Sequence, residues 1–137
     1  MRDVLLYVHI LVGIALIILS SLILFQLKQK SPFLKIYSAL TSILSWVLLL
    51  PSGNLYLTFY PATKTLIKAG GWPWAHSVIM ETKEHWGLLI PIIATTAAWL
   101  VFTGKRKESR RWWILLIILT LLMGVLGRIV TLGGMAR

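Results

Sequence analysis

Val4–Leu27, VLLYVHILVGIALIILSSLILFQL, is a run of 24 residues without a formal charge between Asp3 and Lys28. A helix crosses the hydrocarbon core of a bilayer with about 20 apolar residues, so this stretch predicts a transmembrane helix and makes lipid the reference solvent for the rest of the chain. A second uncharged stretch runs from Ile36 to Thr63. Within it, Pro51-Ser52-Gly53-Asn54 is turn chemistry and predicts that the span ends near Leu50. A third span opens after Glu84 and stops before Lys105, and a fourth begins at Trp112, after the basic run Lys105–Arg111. Spans over about 4–27, 36–50, 85–104 and 112–133, with an outer loop over 51–72, predict an all-α membrane protein: a four-transmembrane-helix antiparallel bundle in one domain.

Composition agrees with that reading. The chain has 137 residues, 58% of them hydrophobic, which leaves almost nothing for a separate soluble module. Its net charge of +10 would suggest nucleic acid in a soluble protein. Here the basic residues cluster at helix ends, where anionic lipid headgroups account for them, and no nucleic-acid partner is expected. Cysteine is absent, which excludes disulfides, thiolate chemistry, Fe–S clusters and covalently attached c-type haem. The first apolar segment is too long for a signal-peptide core and lacks a small-residue cleavage site, so it is expected to remain in the mature protein.

Lysine and arginine set the expected orientation. Lys28, Lys30 and Lys35 follow the first span; Lys105, Arg106, Lys107, Arg110 and Arg111 follow the third. The positive-inside rule places these two short loops in the cytoplasm and both termini and the long loop outside. Trp72, Trp74 and Trp86 at one level, with Trp112 and Trp113 at the other, fit interfacial aromatic belts.

Small residues mark the faces expected to pack. Thr120, Gly124, Gly127, Thr131 and Gly134 fall on one line of the fourth helix; Ser38, Thr41, Ser42 and Ser45 mark the second. Ala94, Thr95, Ala97 and Ala98 do the same on the third, beyond a kink expected at Pro91. In the outer loop, Leu55–Tyr60 is apolar enough to lie on the membrane, and Pro61–Ala69 predicts a short interfacial helix ended by Gly70-Gly71. Pro73 suits the first position of the third helix.

Ionisable residues at membrane depth need an explanation. His9, His85 and Arg128 all map near the outer level. His9 shares the inward face of the first helix with Gly13 and Ser20, and His85 opens the third span. Two neutral imidazoles from different helices are the axial ligands of a b-type haem, with a small residue for clearance and cations for the propionates. On that pattern His9 and His85 are the iron ligands, Gly13 provides clearance, Arg128 and Lys83 are the cations, and Glu81, four residues before His85, accepts the ligand's other N–H. His76 is a poorer ligand, about half a revolution from His85 on a continuous helix. Alternatively, the histidines are hydrogen-bonding interfacial residues and Arg128 snorkels to the headgroups. A further metal reading gathers His76, Met80, Glu81, Glu84 and His85 as a copper or zinc cluster at the mouth. With four acidic residues and no nucleophile elbow or phosphate loop, no catalytic site assembles, and a transporter would need broken or repeated spans.

From Trp74 onward the chain carries His76, then Glu84-His85-Trp86-Gly87 at the opening of a span, a basic loop, and a last span closing on Gly133-Gly134. This order resembles small prokaryotic four-helix membrane proteins considered cytochrome b-like, in which a histidine early in helix one and another at the start of helix three are the haem ligands. Those proteins continue past the glycine pair with polar residues that include a histidine; this chain reads Met135-Ala136-Arg137 there. The resemblance implies haem b and electron transfer within a larger complex. The rival expectation is a cofactor-free structural subunit whose small-residue stripes pack against partner proteins.

Overall fold

A computed structural model describes residues 1–29 and 31–136. The described residues form four helices, each long and apolar enough to cross a membrane: α1 (Arg2–Gln29), α2 (Leu34–Ala69), α3 (Ala75–Phe102) and α4 (Arg106–Gly133). They pack in a closed ring in which α1 touches α2 and α4, and α3 touches α2 and α4. The termini and the α2–α3 turn share one end of the bundle, the terminus end. The α1–α2 and α3–α4 turns form the other, the loop end.

The second helix corrects the expected loop. Pro51-Ser52-Gly53-Asn54 is helical, and α2 runs on through Ala69. Its irregularities follow from its prolines. Proline cannot bond to the carbonyl four residues earlier and collides with it, here that of Val47. The regular helix accordingly breaks at Leu48 and resumes at Leu49. Pro91 repeats the pattern on α3, where Gly87 loses its acceptor role and the break falls at Leu88. Apolar surroundings give unpaired backbone groups no water, which favours continuing the helix past such a defect over unravelling it. A π-helical turn, Leu55–Phe59, precedes Pro61, and a second, Ala75–Met80, opens α3 after Pro73.

The loop half is held by apolar packing and by small side chains. Leu16, Ile23, Leu34, Ala94, Ala97, Trp113 and Leu116 belong to its buried cluster. Ser38, Thr41 and Ser45 are fully buried, as the small-residue stripe on α2 requires. Ser38 and Thr41 return their hydroxyl protons to carbonyls one turn back, both at 2.8 Å. Between helices, Trp46 Nε1–H donates to Thr95 Oγ1 at 3.0 Å and Ser109 Oγ–H to the Ala97 carbonyl at 2.9 Å. The α3–α4 turn closes on Gly104, whose φ of 79° lies in the left-handed region open to glycine; Lys105 N–H donates to the Leu100 carbonyl at 2.8 Å. At the terminus end, α3 meets α4 where a Cβ on Gly133 would stand 2.6 Å from that of Ala75. Gly124, in contrast, faces open space, so the stripe on α4 is only partly a packing face.

Candidate functional site

Every histidine lies in the terminus half, and each is fixed by a different neighbour. His9, on α1, is half-buried. Its Nδ1 lies 2.9 Å from Ser52 Oγ on α2, while the single hydroxyl proton of Ser52 goes to the Leu48 carbonyl at 2.6 Å. Ser52 Oγ is therefore the acceptor, Nδ1 carries the proton, and the His9 Nε2 lone pair is free. Ser52 reaches His9 only because α2 continues through the predicted turn.

His85 reaches the same protonation state by another route. Its Nδ1–H donates to the backbone carbonyl of Glu81 at 2.7 Å, and since a carbonyl can only accept, Nε2 again keeps its lone pair. The partner expected for this N–H was the Glu81 carboxylate. The carbonyl one turn back is the nearer acceptor within the helix, and the carboxylate is turned towards His76, 3.9 Å from its Nε2. His85 itself is exposed.

Lys83, on α3, is turned towards α4. Its Cε lies 3.2 Å from the point a Cβ on Gly127 would occupy, so the bare backbone of α4 gives the aliphatic stem room. Lys83 is half-buried, as His9 is on α1. No carboxylate pairs with it among the described residues. Successive helical positions turn by about 100°, so His85 lies about 200° round α3 from Lys83 and faces away from the ring interior. Arg128 is exposed on α4 and has no ion-pair partner among the described residues. A Cβ on Gly13 would meet nothing within 4 Å, which leaves open space one turn beyond His9.

His76 is the buried histidine, at 6% exposure. Its Nδ1 lies 2.8 Å from the Tyr60 hydroxyl. The Tyr60 hydroxyl therefore engages His76 Nδ1, while the Glu81 carboxylate, 3.9 Å from Nε2, is too far for a direct hydrogen bond. Tyr56 stacks on Tyr60 with ring centroids 5.5 Å apart. Tyr60 follows directly on the π turn of α2, and His76 lies within that of α3. Such turns displace the side chains after them from the regular helical positions, and they are enriched at functional sites.

Sequence spacing did not identify Ser52, Tyr56, Tyr60 or the inward turn of Lys83. The first three fell in the segment read as a loop; the signal available for them was the long uncharged stretch continuing to Thr63. Among the described residues, no group of three or more His, Asp or Glu side chains is arranged to hold a metal ion, and the members of the expected copper or zinc cluster divide between the buried His76 and the exposed His85. No protein-family model, curated protein or solved structure matches the chain.

Proposed function

We propose that this chain is a multi-pass membrane protein that binds one haem b at its terminus end and transfers electrons as a subunit of a larger complex. The observation that carries the reading is the protonation state of the two histidines. His9 and His85 each give Nδ1–H to a neighbour and retain the Nε2 lone pair, the form in which an imidazole ligates iron. His76 is buried, and its Nδ1 is engaged by Tyr60. The open space at Gly13 suits a flat group lying against α1. In this reading His9 and His85 hold the iron, which requires α3 to turn on haem binding, because His85 faces outward; Ser52 and the Glu81 carbonyl then fix the orientation of the two rings. Lys83 and Arg128 supply positive charge for the propionates. The haem, when bound, supplies reversible one-electron redox chemistry.

Replacement of each histidine tests the assignment. His9→Ala and His85→Ala are expected to abolish haem retention and His76→Ala to leave it largely intact; equal loss from His76→Ala would overturn the ligand set. A second reading, a cofactor-free accessory subunit, is favoured by one observation: Lys83 is turned inward against Gly127 of α4 while His85 faces outward. In it the exposed faces pack against partner proteins, and all three variants are equally colourless.

The cytoplasmic face belongs to the loop end, on the strength of the eight basic residues in and beside its two short turns, and the termini lie outside. An impermeant thiol reagent is expected to label a cysteine introduced at position 64 in intact cells and to spare one at position 107. The reverse pattern would invert the topology.

A further inference from the structure

At the loop end, two adjoining grooves of about 280 and 130 Å³ run between α1 and α4. The larger is lined by Leu24, Phe25, Lys28, Arg110 and Ile114; Lys28 and Arg110 also line the smaller, with Leu27, Arg106 and Lys107. The lining follows helical spacing. Leu24 lies one turn before Lys28 on α1, and Arg106, Arg110 and Ile114 are successive turns of one face of α4. Apolar walls therefore point towards the middle of the bundle and four cations stand at its end.

These cations have no counter-charge in the protein. The nearest acidic residue in sequence is Glu108, two positions from both Arg106 and Arg110, spacing that places it on the other side of α4. No carboxylate forms an ion pair with any of the four among the described residues. Two helices that bring Lys28 and Arg110 to one groove without an anion between them repel each other there, and a bound anion converts that cost into attraction.

We propose that this groove is a binding site for an anionic phospholipid, with its phosphate between Lys28 and Arg110 and an acyl chain along Leu24, Phe25 and Ile114. The shape of the site selects lipid over a free anion, because a soluble phosphate would leave the apolar wall beneath the cations uncovered. Basic pockets between membrane helices are suited to such headgroups, and each cation near the headgroup adds to the preference for negative charge. The site is independent of the haem reading, since it lies at the opposite end of the bundle.

Lipid retention by the full-length protein in detergent tests this. The probes are phosphatidylglycerol and phosphatidylcholine of matched chains, added in equal amounts and quantified on the protein by native mass spectrometry. Wild type is expected to retain phosphatidylglycerol in preference, and Lys28→Gln with Arg110→Gln to weaken that retention about thirtyfold, as the loss of two surface cations implies. Lys28→Arg with Arg110→Lys is expected to restore it, and Arg2→Gln with Lys64→Gln, at the other end, to leave it unchanged. Equal retention of the two lipids by wild type, or an equal loss from the terminus-end pair, would overturn the proposal. Displacement of the lipid by millimolar inorganic phosphate would also overturn it, by showing a site for phosphate alone.

Discussion

In the loop half, α2 and α3 meet through Ser42, Trp46 and Thr95 on regular helix; in the terminus half the same two helices each carry a π-helical turn and meet through Tyr60 and His76. Hydroxyls in the loop half mostly satisfy themselves on carbonyls of their own helix. That leaves close apolar packing to join the helices, as expected where lipid is as apolar as the core and gives little hydrophobic drive. In the terminus half, prolines at 51 and 61 interrupt the ladder of α2, and His9 and His76 make the cross-helix contacts to it through Ser52 and Tyr60. Chemistry is concentrated where the backbone has given up regularity.

The contrast predicts where substitutions should hurt. The largest effect is expected at Trp113, fully buried in the loop half. Trp113→Ala should cost about 3 kcal/mol through the cavity left in a close-packed region, measured by unfolding in detergent with increasing SDS. Trp113→Phe should recover most of that, because the indole N–H has no hydrogen-bond partner among the described residues. A Trp113→Ala protein as stable as wild type would mean that the loop half is not the packed core.

A smaller effect is expected at Tyr60. Tyr60→Phe keeps the ring stack on Tyr56 and removes only the hydrogen bond to His76, worth about 1 kcal/mol between membrane helices. A loss as large as that from Trp113→Ala would place the main support of the fold in the terminus half and reverse the comparison.

The division also explains what could be read from sequence. Four helices were legible because runs such as Val4–Leu27 leave no other means of satisfying the backbone in lipid. The small-residue faces were legible for Ser38, Thr41, Ala94 and Ala97, which repeat at helical spacing and are buried. The end of α2 was not, because Pro51-Ser52-Gly53-Asn54 carries the turn chemistry of water-soluble proteins, whereas apolar surroundings favour helix through the same residues. With the loop went Ser52 and Tyr60, the partners of His9 and His76. The inward turn of Lys83 had no sequence signal either; it depends on Gly127, whose missing side chain on another helix makes the room.

The central claim is that the terminus half holds a haem, and the reduced-minus-oxidised absorption spectrum of the purified wild-type protein tests it most directly. Expressed in a haem-replete host, the protein is expected to show the Soret and α-band changes of a six-coordinate b-type haem, with extractable haem near one per chain. A folded, helical and colourless protein, which also fails to take up added haemin, would contradict the claim and leave the accessory-subunit reading in its place.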